Sequence, residues 1–234
     1  MLTRFGLAPR RPGMTVAAFQ RHWRTHHAQA MRALPELTRY WQNHRLPGAG
    51  ALLPWPGFDA CSEMDAPDRA AFARAFAAPA FDAVRADQPL LCAMDGHGVL
   101  TTERIVGEGE RGGVERGTGL AAGADSRAGA GAGVGEPAGI VRLLVFLRLA
   151  PGAGRAQLAE ALADGARGAG TRGREAFLAV EDEPAAFEAV EILWFGGERA
   201  AEAYLAGGID RDAERLAGLV RGSERLLAAP LPVI

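Results

Sequence analysis

Residues 10 to 44, RRPGMTVAAFQRHWRTHHAQAMRALPELTRYWQNH, form the stretch that decides the fold. A Pro-Gly turn leads to Thr15, which is a favourable helix N-cap, and an apolar stripe then continues as far as Leu34. Pro35 ends this helix, and residues 37–46 alternate aromatic and polar side chains in the manner of a strand. The stretch therefore predicts one long helix followed by a strand, and the helix carries three of the five histidines.

On either side of this stretch, the first half of the chain contains three more strand candidates and a second helical region. The strands are predicted at 2–7, 58–65 and 99–106, between segments of turn-forming residues. The helical region begins near Asp68 and has phenylalanines at near-helical spacing, with Pro79 expected to break or kink it. The order is β-α-β-β-α-β, which is the ferredoxin-like arrangement.

The second half of the chain repeats this order. Its predicted strands lie at 140–150, 175–182, 187–196 and 223–234, with helical segments at 155–166 and between the last two strands. A similar order at a spacing of about 140 residues suggests duplication and fusion. A four-stranded sheet with helices on one face needs a cover on the other, so two such sheets are expected to pack face to face within one chain. The alternative is two independent modules that dimerise separately.

A glycine-rich segment separates the two halves. Residues 107–139 contain 12 of the 31 glycines and almost no large apolar side chain. Such a segment cannot bury enough surface to offset the entropy lost on ordering. The sequence therefore predicts a first domain at 1–106, a flexible linker at 107–139 and a second domain at 140–234.

Composition excludes several classes of partner. A net charge of -2 and a pI near 6.2 give no concentrated basic face for nucleic acid or an anionic membrane. The N-terminus lacks the apolar run of a signal peptide, and no apolar stretch approaches the ~18 residues of a membrane span. We therefore expect a cytoplasmic protein.

Alanine, glycine and arginine are abundant and lysine is absent, which suggests a GC-rich bacterial coding sequence. Cys61 and Cys92 are far apart and are expected to be reduced core residues.

The stretch at 10–44 resembles the opening of the EthD family. The family pattern runs R-x-P-G-M/L-S/T, then F-x-x-x-W-x-x-x-H, then L-P and Y-x-Q-N-H. The matching residues are Phe19, Trp23, His27, Leu34, Pro35, Tyr40, Gln42, Asn43 and His44. Residues 58–64 are similar to the family's Y-D-G-x-A-E strand, and residues 78–91 to a later segment that contains a Pro and an Asp. The resemblance covers most of residues 1–106.

The resemblance implies an α+β fold in which two ferredoxin-like domains form a dimeric α+β barrel, here within one chain. It also implies a small-molecule protein, since some relatives act as cofactor-free dehydratases, isomerases or oxygenases and related barrels bind haem. The second half contains no histidine, so it resembles a degenerate partner domain. The chain is then expected to be a monomeric pseudo-dimer or a homodimer.

The helix at 15–34 supplies the main catalytic candidate. At about 100° per residue, Phe19, Trp23 and His27 fall in one inward sector, while His26 lies on its flank. An imidazole against an indole in an apolar wall is favoured in its neutral form, which can accept a proton. The alternative is a core histidine whose ring nitrogens are satisfied by the backbone. No carboxylate joins the histidines at ligand spacing, so no metal site is predicted, while one imidazole would suffice for haem.

The following strand supplies the remaining candidates. Successive side chains alternate, so Tyr40 and His44 share one face with Gln42, while Trp41 and Asn43 share the other. If the first face looks toward the helices, a phenol and a second imidazole join the pocket. We therefore predict His27, His44 and Tyr40 as catalytic residues. Substrate-binding residues are predicted at Trp23, Phe19, Asn43 and His26, the Asn on its place in the family motif. Glu63 is interpreted as a buried-edge or solvent residue in preference to a pocket carboxylate, and His97 is interpreted as a turn residue.

These residues favour an EthD-like enzyme that uses a histidine acid/base on a largely apolar substrate bearing a carbonyl or hydroxyl group. A lyase, dehydratase, isomerase or cofactor-free oxygenase reaction would need no bound cofactor. The alternatives are a non-catalytic module that binds a hydrophobic ligand and, on weaker grounds, a haem-binding protein.

Overall fold

Strands from both halves of the chain form the framework of the structure. The structure is a computed structural model that describes residues 1–109, 139–165, 170–207 and 214–234. Its strands are β1 (Leu2–Ala8), β2 (Arg39–Arg45), β3 (Ala60–Ala66), β4 (Gly98–Gly109), β5 (Val141–Leu149), β6 (Thr171–Ala179), β7 (Ala189–Phe195) and β8 (Val220–Pro232). Each lies where the alternating or apolar runs of the sequence predict a strand.

The helices also follow the predicted order. They are α1 (Val16–His22), α2 (Ala28–Arg32), α3 (Arg69–Ala77), α4 (Phe81–Leu91), α5 (Arg155–Ala163) and α6 (Glu198–Gly207), with a π-helical turn at Trp23–His27 between α1 and α2. Thr15 caps α1 by accepting the Ala18 N–H, as predicted. The helical region is interrupted around Pro79, between α3 and α4, where the sequence predicts a break.

The strands close into one barrel, in the order β1-β3-β2-β8-β5-β7-β6-β4. Each half contributes four consecutive strands in the ferredoxin-like order, and all neighbouring strands are antiparallel. The mixed α+β class is confirmed. The two sheets are joined at both edges, because β2 pairs with β8 and β4 pairs with β6. Closure gives the backbone groups at both sheet edges a partner.

Most of the predicted linker lies outside the described residues. Strand β4 continues to Gly109, three residues beyond the predicted boundary at 106, and pairs there with β6. Residues 110–138 are not described, so the flexible linker and the domain boundaries stay predictions. None of the described helices is long and apolar enough to span a bilayer.

All eight strands contribute apolar side chains to the interior of the barrel. Phe5 from the first half packs edge-to-face against Phe177 from the second, with ring centroids 5.2 Å apart. Phe58 packs in the same way against Phe146 at 5.3 Å. This interior therefore joins the two halves by a shared aromatic core, whose edge-to-face pairs are a favourable arrangement.

A buried ionic cluster lies within this core and is centred on Arg142, whose side chain is completely buried. Its Nη1 donates to Glu63 Oε2 and Asn43 Oδ1, both at 2.8 Å, and its Nη2 donates to Glu175 Oε2 at 3.4 Å. The guanidinium also stacks over Trp194, 4.3 Å from the ring centroid. Arg142 thus connects strands β2 and β3 of the first half with β6 and β7 of the second.

This cluster corrects two interpretations of the sequence. Glu63 is neither an edge nor a solvent residue, because it is fully buried between Arg142 and Arg39. Burial opposes its ionisation, but the two guanidinium groups prevail and lower the pKa of Glu63 to about 2. Asn43 is held inside the barrel by Arg142 and by its own bond to the Cys61 carbonyl, at 3.1 Å.

Replacing Arg142 should strongly destabilise the protein. An Arg142→Met variant keeps the apolar stem but removes the buried cation that Glu63, Glu175 and Asn43 share, which should cost about 3–5 kcal/mol in the free energy of unfolding. Urea unfolding measures this change. Arg148→Met is the control, because Arg148 pairs with Glu224 near the surface at 2.9 Å and should cost about 1 kcal/mol or less. Equal losses in the two variants would contradict the role given to Arg142.

Candidate functional site

A cavity of about 300 Å³ lies between the outer face of the first-half sheet and the helices that cover it. Its floor consists of small side chains on β1 and β3, among them Gly6, Ala8, Ala60 and Ser62. A Cβ atom built on Gly6 would come within 2.5 Å of Ser62 Oγ, so the two strands have no room for larger residues there. The volume is at the lower end of the range of about 300–1,000 Å³ that is typical of ligand pockets.

The walls of the cavity are mainly apolar. Side chains from the helical segments, Trp23, Met31, Phe76, Phe81, Val84 and Leu91, form most of the wall. Polar groups reach the cavity from Arg4, His27, Tyr40, Gln88 and His97. Few polar groups in an apolar hollow are the usual composition of a small-molecule site.

The π-helical turn brings Trp23 and His27 to the cavity. In this turn the Ala28 N–H reaches back five residues to the Trp23 carbonyl. The same carbonyl accepts a hydrogen bond from Gln42 Nε2 at 2.8 Å, which fixes the turn to β2. Single π-turns within α-helices often occur at functional sites. The sequence does not show this turn, because its residues have the apolar spacing of an ordinary helix.

His27 is held by Asp87 of α4. His27 Nδ1 lies 3.0 Å from Asp87 Oδ2, and His22 Nε2 lies 2.6 Å from the other carboxylate oxygen. Partial burial opposes ionisation of Asp87, but the hydrogen bonds from His27 and His22 lower the pKa of its carboxyl. An ionised carboxylate only accepts, so His27 donates through Nδ1, and the neutral tautomer of this ring has its lone pair on Nε2.

This arrangement suits a general base. His27 lines the cavity and is only 8% exposed, and Nε2 makes no hydrogen bond within the described part of the chain. A carboxylate on Nδ1 fixes the tautomer and stabilises the imidazolium that forms when Nε2 takes a proton. The Nδ1 atom of His27 is therefore hydrogen-bonded to a side chain. The alternative interpretation, a core histidine satisfied by the backbone, required a backbone partner instead.

His44 lies behind the cavity wall. Its ring is 4.6 Å from that of Trp23, its Nε2 lies 3.0 Å from Gln42 Oε1, and its Nδ1 contacts the amide of Gln20. Burial, with a smaller contribution from Arg24, lowers the pKa of His44 to about 3. Both ring nitrogens of His44 are occupied by these contacts, and the ring stays neutral. His44 therefore does not line the cavity, in contrast to the prediction from the sequence.

Tyr40 reaches the cavity from the same face of β2. Its hydroxyl oxygen accepts a hydrogen bond from Gln42 Nε2 at 3.2 Å. Complete burial raises the pKa of the Tyr40 phenol well above its ordinary value, so the phenol keeps its proton. Tyr40 can therefore act as a hydrogen-bond donor in the cavity, but it is a poor base.

The structure brings some predicted residues to the cavity and not others. Trp23, His27 and Tyr40 line it. Phe19 is fully buried and packs behind Trp23, with ring centroids 5.9 Å apart. His26 is exposed on the outer side of the helix, where its ring stacks on His22, so it does not contact the cavity.

Asn43 is also separated from the cavity, because it lies on the other face of β2. Side chains alternate along a strand, and Tyr40 and His44 lie on the helix-facing side of β2, so Asn43 must lie on the opposite side. The family motif groups these residues in sequence, but the strand divides them between two environments.

Sequence reasoning missed Asp87, Arg4 and His97. Asp87 lies in the segment 78–91 that resembles the family, so its motif position was a usable signal, although its contact with His27 spans 60 residues. His97 was interpreted as a turn residue, yet it lines the cavity. Burial, and then the charges of Arg4 and His27, lower the pKa of His97.

The second half has a corresponding cavity with different chemistry. It measures about 220 Å³ and is lined by β5, β8, Glu191 of β7 and Tyr204 of α6. Glu191 is paired with Arg174 at 2.6 Å and Arg215 at 2.9 Å, and no histidine occurs after His97. This cavity therefore contains no free acid/base group comparable to His27.

No metal-binding cluster is present in the part of the chain that the structure describes, where no three His, Cys, Asp or Glu side chains come together suitably. For haem, His27 could serve as an axial ligand, since metal-bound histidines commonly donate their other nitrogen to a carboxylate. The cavity volume of about 300 Å³ favours a ligand smaller than a tetrapyrrole.

Fold and site together define a small-molecule α+β-barrel protein with an imidazole–carboxylate pair at a helix-covered cavity. The comparisons with known proteins agree with this class. Residues 11–92 match the family model described as "EthD domain". No curated protein sequence matches the chain significantly.

Several solved structures share the fold. An "anthrone oxidase-like protein" aligns with a TM-score of 0.62 at 11% identity, over 99% of this chain and 93% of its own. A "putative monooxygenase" from Lactobacillus acidophilus NCFM aligns at 0.55 and 9% identity, over 100% and 94%. A "putative chlorite dismutase" aligns at 0.52 and 10% identity, over 99% and 95%. At these identities the similarity shows the fold alone.

The buried neutral state of His44 predicts an acid-sensitive stability. Its folded pKa of about 3 lies below the ordinary value near 6.5, so the unfolded state binds more protons between these limits. Stability should therefore fall with decreasing pH by up to about 1.4 kcal/mol per pH unit. Between pH 7 and pH 5, urea unfolding should show a loss about 2 kcal/mol larger in the parent protein than in His44→Gln.

His26→Gln is the matched control, because His26 is exposed and should leave the pH dependence of the parent unchanged. A His44→Gln variant that keeps the full pH dependence would show that His44 is not the titrating group.

Proposed function

We propose that the protein is an enzyme that removes a proton from a small, largely apolar substrate in the first-half cavity. The observation that carries this proposal is the His27–Asp87 pair at the edge of an apolar hollow. A histidine filling a packed core would need neither a carboxylate on Nδ1 nor an unoccupied Nε2 facing a cavity.

The proposed chemistry assigns one role to each polar group. His27 Nε2 takes a proton from a carbon or oxygen atom of the substrate, and Asp87 stabilises the resulting imidazolium. The phenol of Tyr40 donates a hydrogen bond to a carbonyl or hydroxyl oxygen of the substrate and stabilises negative charge that develops there. Trp23 forms an apolar wall that excludes water, which strengthens both interactions.

Two reaction types follow from proton removal without a bound cofactor. In an isomerase, dehydratase or other lyase, His27 returns the proton to a different atom of the substrate or to a leaving hydroxide. In a cofactor-free oxygenase, the substrate carbanion reacts with O₂, and one oxygen atom enters the product while the other leaves as water. The names of the structural neighbours, an anthrone oxidase-like protein and a monooxygenase, support including the second type.

Anthrone is a suitable first probe, because its methylene protons are acidic and its ionised form carries the charge on oxygen. Incorporation of deuterium from D₂O reports proton removal, and formation of anthraquinone with consumption of O₂ reports oxygenation. His27→Gln should slow deuterium incorporation by about 100-fold or more, the usual contribution of a general base. Asp87→Asn should slow it by about tenfold or more, because the orienting carboxylate is lost.

His26→Gln is the control for both variants, since His26 lies on the same helix but outside the cavity. It should exchange deuterium at the parent rate. A folded His27→Gln protein that exchanges as fast as the parent would contradict the assignment of His27 as the base.

The non-catalytic alternative uses the same cavity. A module that only sequesters a hydrophobic ligand would bind anthrone without accelerating exchange, and His27→Gln would leave that binding unchanged. Haem binding would instead appear as a Soret band in the purified protein or after addition of haem, with loss of the band in His27→Gln.

We also propose that the two halves arose by duplication and fusion. The support is that both halves have the same strand order and that each has a cavity against its sheet. On this proposal the second half has lost its acid/base group and acts as the internal partner that completes the barrel.

A further inference from the structure

We propose that Arg4 binds a negatively charged oxygen of the ligand, so that the cavity selects small apolar or aromatic anions. This inference rests on the proposed function in taking the first-half cavity as the ligand site. It adds a binding residue on β1 and a substrate charge that a histidine base alone does not require.

Arg4 lies on the outer face of β1 and lines the cavity with its side chain about half-buried. Its guanidinium carbon is 5.1 Å from the ring centroid of Phe76 and 5.9 Å from that of Phe72. Stacking on two aromatic rings holds the planar group in place while leaving its N–H donors at the rim of the stack. The guanidinium is thus oriented before any ligand arrives.

Within the described residues, Arg4 makes no hydrogen bond and no ion pair. The acid that influences it is Glu183, which acts from beyond ion-pair distance and lies 3.7 Å from Arg69. Other arginines with limited exposure are paired, Arg10 with Asp59 and Arg39 with Asp65, both at 2.7 Å. Burial lowers the pKa of Arg4, which reflects a cation that has lost water without gaining a carboxylate.

Among the described residues, no carboxylate lines the cavity beside Arg4. His97 lines the same cavity, and burial, followed by the charge of Arg4, lowers its pKa. The nearby carboxylate of Asp87 is already shared by His22 and His27. An anionic ligand would therefore supply the missing counter-charge, and an arginine fork fits the two oxygens of a carboxylate or a single oxyanion.

The rest of the cavity wall determines the polarity of the rest of the ligand. Most of the other side chains that line the cavity are apolar, among them Met31, Phe81, Val84, Leu91 and Val99. A ligand that satisfies both parts has an apolar or aromatic body and one anionic oxygen. That oxygen is either carried by the free substrate, as in an aryl carboxylate, or formed when His27 removes a proton, as in an enolate or phenolate.

Binding of matched probes tests the proposal without any turnover. 2-Naphthoate and 2-naphthamide have nearly the same shape, but only the first is charged. Isothermal titration calorimetry should show that the parent protein binds naphthoate about tenfold or more tightly than naphthamide, the range expected for a hydrogen bond to a charged group. Arg4→Met should lose this preference while its affinity for naphthamide changes by less than about twofold.

Arg85→Met is the matched control. Arg85 also stacks on a phenylalanine of the cavity wall, Phe81 at 5.1 Å, but it pairs with Asp82 on the surface and does not line the cavity. It should keep the parent preference for naphthoate. Arg4→Gln serves as the second variant if Arg4→Met does not fold, which circular dichroism and thermal unfolding would show.

A third probe distinguishes the two sources of charge. The ionisation of bound 2-naphthol can be followed by its absorbance, and Arg4 should shift its midpoint to lower pH in the parent than in Arg4→Met. A shift for naphthol with little preference for naphthoate indicates an oxyanion formed in the site. A preference for naphthoate alone indicates a substrate that carries a carboxylate.

The proposal is overturned if the parent binds neither anion in preference to the neutral probe, or if a folded Arg4 variant keeps the preference. Failure of the proposed function would look different. If His27→Gln left deuterium exchange unchanged while the Arg4-dependent preference remained, the cavity would be an anion-binding site without proton-transfer chemistry.

Discussion

The buried charge of Arg142 is the constraint on which the rest of the structure depends. A guanidinium in the middle of a barrel is tolerated only if its carboxylates and amide are all in place. Those partners, Glu63, Asn43 and Glu175, come from three strands of both halves. The ionic cluster is therefore satisfied in only one register of the two sheets, and closure of the barrel fixes that register.

This register also decides what faces the cavity. A shift of one residue along β2 or β3 would exchange the inner and outer faces of the strand. With Asn43 and Glu63 turned inward to Arg142, Tyr40 and Ser62 must turn outward to the helices. The hydrogen bonds of Gln42 to Tyr40 and to the Trp23 carbonyl then connect the outer sheet face to the π-turn that carries His27. The charges inside the barrel thus position the groups outside it.

Much of this fold could be predicted from the sequence, because helix caps, proline breaks and strand alternation are local signals. Thr15 and Pro79 mark helix boundaries where the structure has them. Alternation also sorted the side chains of β2 into two correct sets. It could not assign the sets to faces, since both contain aromatic and polar residues, and the deciding partner, Arg142, is 99 residues from Asn43. The His27–Asp87 contact has the same non-local character.

The second half shows that the fold alone does not supply the chemistry. It has the same strand order and a cavity of its own, yet the carboxylate there, Glu191, is paired with Arg174 and Arg215. In the first half, the carboxylate of Asp87 is hydrogen-bonded to the imidazoles of His22 and His27, and the cation of Arg4 has no carboxylate within ion-pair distance among the described residues. An acid held between two cations has no capacity to move a proton or to bind a further charge. The barrel therefore provides two cavities of similar form, and the pairing of charges within each determines which one can act on a ligand.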